Sequence, residues 1–218
     1  YEFDKMLEEL IALESKFPEF KSVDSPSQRV GGGITREFET VVHKYPMLSL
    51  GNTYSEEEVR EFDQRIRKLA GDQFEYICEL KFDGVAIGLT YENGRLVRAV
   101  TRGDGVQGDD VTANVRTIRS IPLVLQPGDY PDAFEIRGEV FMPRPVFDRL
   151  NEEMYRQLEE DGYNEEEITD RLMKNPRNAA AGTIKMQDSA MVAKRGLDCI
   201  LYFIYGENLP FNTHYESL

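Results

Sequence analysis

Phe3, Met6, Leu7, Leu10, Ile11 and Leu13 recur at near-helical spacing with charged residues between them, which predicts an amphipathic helix over residues 1–17. Pro18 and the small polar stretch 22–28, which includes Pro26, then break the periodicity ahead of Gly31-Gly32-Gly33, as a linker or loop crossing does. Ser55 with Glu58 forms a capping-box pattern before Val59, Phe62, Ile66 and Leu69, and Gly71 suits the far end, so a second helix is expected over 55–70. From Tyr76 the pattern changes to alternation. Asn93-Gly94 separates two strand-like runs where a type I′ hairpin turn is favoured, so the middle of the chain reads as antiparallel β. Further strands are predicted over 134–142 and 197–205, with helices near 110–118, 145–160 and 165–173. This order implies an α+β domain, with no internal repeat and no low-complexity tract.

Composition narrows the picture. A chain of 218 residues with 40% hydrophobic content can close a core as one large domain, or as one domain with a helical appendage. The longest strongly apolar stretch, 199–205, is far shorter than the roughly 20 residues a membrane-spanning helix needs, and no export pattern marks the N-terminus. The expected location is cytoplasmic, with no membrane partner. A net charge of −14 argues against gripping nucleic acid over the whole surface, so any DNA contact is local or made elsewhere. Acidic stretches such as 152–167 equally serve solubility. Cys78 and Cys199 stand far apart in apolar surroundings and are expected to be buried core residues. His43 and His214 are isolated, with no ligand spacing, and read as structural or surface histidines, so no metal ligands are assigned.

The strongest chemical signal is the string Glu79-Leu80-Lys81-Phe82-Asp83-Gly84. In a strand, Glu79, Lys81 and Asp83 share one face while Leu80 and Phe82 enter the core. An ordinary solvated strand face with ion pairs has the same pattern. Lysine is a nucleophile only as the neutral amine, and a free lysine titrates near 10.4. Once neutral, Lys81 can attack the α-phosphorus of a dinucleotide in line and leave a phosphoramidate. Asp83 either orients the lysine or contacts the ribose, and because its charge favours the protonated amine, other groups must offset it. Gly84 lets the backbone turn closely beside a nucleotide.

A second charged face is formed by Glu135, Arg137 and Glu139, opposite Ile136, Val140 and Met142, with Gly138 leaving room for close approach. Glu139 is a candidate ribose or metal ligand, and an exposed edge-strand face is the plainer alternative. Residues 101–108 contain a literal Gly-x-Gly-x-x-Gly, with Asp129 as a ribose-binding acid if the site were of the Rossmann type. The alternating strand before it and the nearby Asp104, Asp109 and Asp110 fit a Gly-rich turn before a helix better, with Arg102 free to point at a phosphate. Asn175-Pro176-Arg177-Asn178, three alanines, Gly182 and Lys185 combine tight turns with two cations, either for a DNA-backbone contact through Arg177 and Lys185 or as a solvated surface turn.

Taken in order, 25–31 (Ser-Pro-Ser-Gln-Arg-Val-Gly), Pro46-Met47-Leu48-Ser49-Leu50, 78–84, 101–108, Arg137-Gly138-Glu139-Val140 and 175–182 resemble the NAD-dependent bacterial DNA ligases through nearly the whole chain. The resemblance implies a nucleotidyltransferase domain with antiparallel sheets over 25–218, preceded over 1–24 by the remainder of a small helical domain that recognises the nicotinamide half of NAD. It implies that Lys81 is the adenylated nucleophile, with Asp83 beside it. Glu79 then contacts adenine, Arg102 and Glu139 the ribose or phosphate side, and Ser49 and Leu50 line the nucleotide pocket. Tyr1, Glu2, Phe3 and Asp4 fall in the nicotinamide-side motif. Phe3 stands where the family often has tyrosine, and Lys185 where arginine is common, which keeps the charge but loses bidentate phosphate geometry. NAD is the implied adenylate donor, Mg²⁺ the expected cation and nicked double-stranded DNA the implied partner. The family pattern begins upstream of Tyr1 and continues past Leu218, and its zinc-binding cysteines, helix-hairpin-helix region and oligonucleotide-binding barrel have no counterpart in these residues. The chain therefore reads as a fragment whose DNA grip resides mainly in other parts, with nick sealing beyond it alone. The competing readings are an ATP- or GTP-using relative of the same lysine-dependent class and a non-catalytic nucleotide-binding or DNA-clamp module.

Overall fold

The computed structural model describes the backbone of residues 2–22, 25–29 and 37–218, and their side chains except those of residues 2–4, 7, 8, 28 and 29. The N-terminal helix α1 runs Glu2–Lys16, as the spacing predicts. The polar segment after it does not merely cross over. A 3-10 turn at Pro26–Arg29 follows Ser25, and both Ser25 and Ser27 are buried. Ser27 Oγ donates to the Glu14 carboxylate, and hydrogen bonds from Ser25 and Ser27 hold that carboxyl below its usual range. The Gly31-Gly32-Gly33 run lies outside the described residues.

Helix α2 (Glu56–Ala70) starts where the capping pattern places it. Ser55 accepts from Glu58 N–H, and Gly71 takes φ 78° at the other end, a left-handed conformation that costs glycine nothing. The centre is a four-stranded antiparallel sheet in the order β3-β2-β5-β6, made from β2 (Val85–Glu92), β3 (Arg95–Thr101), β5 (Ala133–Phe141) and β6 (Asp198–Gly206). A two-stranded sheet pairs β1 (Thr40–Val42) with β4 (Gln107–Asp109). Asn93 and Gly94 both have positive φ, 49° and 73°, as a type I′ hairpin turn requires.

One face of the large sheet is the core. Ile87, Leu89 and Tyr91 from β2 meet Leu96, Ala99, Phe134, Val140 and Cys199 from the flanking strands. Helices α3 (Thr112–Val115), α4 (Arg144–Glu160), α5 (Glu165–Arg171), α6 (Pro176–Ile184) and α7 (Ser189–Lys194) lie on this half of the chain, and Val115, Phe147, Ala180, Ile184 and Val192 join the same cluster. The one buried amide in this layer is satisfied: Asn114 Nδ2 donates to the carbonyls of Ile184 at 2.7 Å and Met186 at 2.8 Å, fixing the end of α6. A short helix α8 (His214–Ser217) closes the chain with a Thr213–Glu216 capping box.

Three expectations are corrected. The helix expected over 110–118 is a single turn, because Thr112 and Asp110 side chains are spent bridging to β3 and to one another. The 175–182 turn motif is the start of a regular helix: Asn175 caps it through Asn178 N–H, Pro176 occupies the first turn, and the alanines let it pack closely. The strand expected from Tyr76 begins only at Val85, because β5 ends at Phe141 before Pro143 turns the chain into α4, leaving residues 76–83 no ladder partner.

The cysteines divide likewise. Cys199 is buried, and burial, with help from Asp198 and Glu139, pushes its thiol up to about 12; Cys78 is exposed, contrary to the expectation for it. Treatment of the native protein with iodoacetamide at pH 8 is expected to modify Cys78 and leave Cys199 untouched until denaturant is added, as peptide mass mapping would reveal.

Candidate functional site

The opposite face of the sheet carries the candidate site. On β5, Glu135, Arg137 and Glu139 alternate with Ile136, Gly138 and Val140, and β5 is an interior strand rather than an edge. Glu139 pairs across from Ala86, and its Oε1 accepts from Gly84 N–H at 3.0 Å. This contact docks the lead-in segment on β5. The absence of a side chain at Gly84 is needed for that approach, since a Cβ would fall 2.1 Å from the Val140 carbonyl oxygen. The close neighbour that selects glycine is thus the sheet itself.

Residues 79–83 form an irregular segment outside any ladder, not the strand face expected of them. Leu80 is 82% exposed instead of buried, whereas Phe82 stacks on Phe141 at 5.6 Å. Lys81, Asp83 and Arg177 all lie within electrostatic range of Glu139. Burial raises the Glu139 carboxyl above its ordinary range, Asp83 adds to the rise, and Gly84 N–H, Lys81 and Arg177 oppose it. Asp83 accepts from Arg177 Nη1 at 2.7 Å, so a cation from α6 offsets part of its charge. Both partners are more than half exposed, so the pair contributes little to stability. Lys185, the other cation of that segment, pairs with Asp109 at 2.7 Å.

The rise at Glu139 yields a signed prediction. A carboxyl whose folded pKa exceeds its unfolded one loses stability as pH rises between the two values. Glu139→Gln keeps an acceptor for Gly84 N–H without the buried charge. It is expected to melt higher than the parent at pH 7 and no higher at pH 3.5; thermal melts at the two pH values check this.

A second wall comes from residues 43–50. Arg102 Nη1 donates to Ser49 Oγ at 3.2 Å, and His43 Nε2 donates to the Arg102 carbonyl at 3.0 Å. Leu50 lies beside Ser49 in sequence and is 75% exposed. Arg137 anchors this wall: its guanidinium donates to the carbonyls of Tyr45 at 2.6 Å and Pro46 at 3.1 Å, to Glu135 at 3.0 Å and to Tyr205 Oη at 3.3 Å. It also lies 4.2 Å from the Tyr205 ring centre. Tyr45, Glu135 and Tyr205, all partners of Arg137, also line a cavity of about 250 Å³ together with His43, Gly88 and Thr90.

The structure therefore brings Lys81, Asp83, Arg177, Glu139, Arg102 and Ser49 to one region of the sheet's polar face. Arg177 belongs with the lysine. Glu79 sits at its margin, where His214 Nε2 donates to its Oε1 at 2.7 Å. Tyr1 lies outside the described residues, as do the side chains of Glu2, Phe3 and Asp4, although the backbone of those three belongs to α1.

Sequence reasoning missed Tyr202. It lies in β6, where a register shift opposite Arg137 and Gly138 inserts one extra residue. The bulge changes which residues share a face, so plain alternation misplaces everything after it. Tyr202 is half-buried and within electrostatic range of Glu139, Arg137 and Arg102; burial raises its hydroxyl above the ordinary tyrosine range, and the Glu139 charge adds to the rise. An aromatic in a strand opposite a charged β5 face was the only signal available.

Comparison with known proteins gives the family. The family model described as the NAD-dependent DNA ligase adenylation domain matches residues 35–218, and that described as the DNA ligase-like, N-terminal NAD+-binding domain matches residues 1–31. A DNA ligase of Phocaeicola vulgatus is 58% identical over 217 residues, one of Parabacteroides distasonis 56% over 218, and one of Cytophaga hutchinsonii 55% over 218. In each case the whole chain is covered, but only 31% of the relative, so the chain spans about a third of the length of the curated relatives it matches. Among the described residues no helix is long and apolar enough to cross a membrane.

Proposed function

The chain belongs to the NAD-dependent DNA ligase family, and from that premise we propose that it is the part of such a ligase that takes AMP from NAD onto Lys81. The observation that carries the reading is the gathering of Lys81, Asp83, Glu139, Arg102 and Ser49 on one face of the sheet. The Lys81 amine, once neutral, attacks the α-phosphorus of NAD. An N–P bond forms, the pyrophosphate P–O bond breaks, and nicotinamide mononucleotide leaves with the electron pair. Glu79 accepts a hydrogen bond on the adenine side, Glu139 and Arg102 hold ribose and phosphate, and Ser49 and Leu50 line the pocket. The Tyr202 ring, next to Glu139, offers a flat surface on which a base can stack. Residues 1–24, including the Tyr1-Glu2-Phe3-Asp4 motif, belong to the helical unit that receives the nicotinamide half, and residues 25–218 to the nucleotidyltransferase unit.

The AMP then passes to the 5′-phosphate of nicked DNA, and a 3′-hydroxyl completes the seal. Arg177 and Lys185 are the candidate DNA-backbone contacts, each of which has to leave an aspartate to serve. The remaining grip comes from outside these residues, so this stretch alone is not expected to seal nicks. The cytoplasm is the compartment consistent with that substrate. Mg²⁺ suits the donor set, since it takes one or two carboxylates from protein and its other ligands from phosphate and water. Glu139 and Asp83 are the carboxylates beside Lys81 that would hold it, and it would supply neutralisation of phosphate charge.

Donor choice tests the reading. Incubation with NAD or ATP labelled in the adenylate, followed by intact mass measurement, is expected to give an AMP-sized increment from NAD alone. Labelling from ATP alone would reject the donor assignment, and binding of NAD without any covalent product, here and in the full-length protein, would leave a nucleotide-binding module.

A further inference from the structure

His214 stands far from the nucleophile segment in sequence, yet its Nε2 reaches Glu79 Oε1 at 2.7 Å, with the two side chains only 31% and 34% exposed. The imidazole is fixed on three sides. Its ring stacks on Phe203 with centres 5.4 Å apart, Ser217 Oγ lies 3.3 Å from Nδ1, and the Thr213–Glu216 capping box holds the helix that carries it. Phe203 itself stands on the polar face of the sheet because of the β6 bulge and packs on Tyr205, the ring beneath Arg137. The histidine is therefore tied to the same aromatic layer that supports the nucleotide wall.

Glu79, by contrast, has no ladder to orient it, since its segment is irregular and unpaired with any strand. A carboxylate on such a segment rotates freely unless something holds it, and each rotamer lost on ligand binding costs affinity. Among the described residues, the contact to His214 is the hydrogen bond that engages its carboxylate, and it occupies one oxygen, leaving the second to accept from a ligand. Resting on the reading of Glu79 as the acceptor for the adenine amino group, we propose that His214 is a positioning residue that pre-orients Glu79 and thereby sets the preference for adenine over a 6-oxopurine. A base with a carbonyl in place of the amino group presents an acceptor to an acceptor, and the penalty depends on the carboxylate being unable to turn away.

The experiment compares His214→Leu, which retains apolar contact with Phe203, and His214→Gln, which retains an N–H donor, in the full-length protein. Self-adenylation is followed with NAD and with its analogue carrying hypoxanthine in place of adenine. For His214→Leu the KM for NAD is expected to rise about tenfold, the equivalent of one hydrogen bond to a charged group, with a much smaller fall in the saturated rate. The preference for NAD over the hypoxanthine analogue should shrink by a similar factor, and His214→Gln should recover most of both. Unchanged KM and preference in His214→Leu would overturn the inference, as would equal losses in the two variants or a fall in rate without a change in KM. Glu79→Ala separates the two levels: if it moves KM and preference while His214→Leu moves neither, only the role of His214 is lost; if Glu79→Ala also moves neither, the reading of Glu79 falls with it.

Discussion

Lys81→Ala is expected to carry no AMP after incubation with NAD under conditions in which the parent protein gains one AMP-sized increment. The loss should be complete rather than graded, because the variant lacks the atom that bonds to phosphorus, and no neighbouring group in the site replaces it. Lys185, the other lysine in the candidate set, is tied to Asp109 at 2.7 Å and follows the C-terminal end of α6, whereas Arg177, the contact of Asp83, is at its start. Lys81→Arg should fail as completely, since a guanidinium keeps the charge but stays protonated and is no nucleophile at neutral pH. Folding should be spared in both, because Lys81 is exposed and outside any ladder. A melt matching the parent, together with absence of the adduct by intact mass, is the expected pair of results. A surviving adduct in Lys81→Ala would place the nucleophile elsewhere and dismantle the proposed reaction.

Arg137→Met is expected to be the most destabilising single change on the polar face. Its side chain is 8% exposed and its partner Glu135 11%, so removal leaves a carboxylate almost buried without its counter-charge. The carbonyls of Tyr45 and Pro46 also lose their donor. Breaking a buried pair in this way costs about 3–5 kcal/mol, against a total stability of roughly 5–15 kcal/mol for a typical domain. Urea unfolding should show the shift in midpoint, and the double variant Glu135→Leu/Arg137→Met should recover part of it, since the orphaned charge is then gone. Because the same guanidinium holds the start of the 46–50 wall, residual folded protein should bind NAD more weakly. A cost below about 1 kcal/mol would mean that solvent or another cation takes over the bracket.

What the amino-acid order determined by itself is whatever depends on local chemistry. The cap at Ser55, the stop at Gly71, the Asn93-Gly94 turn and the alternation of β5 each arise from neighbours within a few residues, so they could be read directly. The family was legible for another reason: an ordered series of motifs, the one around Lys81 among them, runs through most of the chain, and the family matches over residues 1–31 and 35–218 span that series. The tertiary structure decided what depends on who lies opposite whom. Residues 76–83 look like a strand, yet β5 ends too soon to pair with them. Arg177, read as a DNA contact, lands on Asp83 because a buried amide at Asn114 and a run of alanines bring α6 against the sheet. One inserted residue in β6 turns Tyr202 toward Glu139 and sets Phe203 under His214, which local spacing had left as an isolated histidine. Periodicity records which way a side chain points only while the ladder stays regular, and long-range pairing, register and bulges are set by the packing of segments that are distant in sequence.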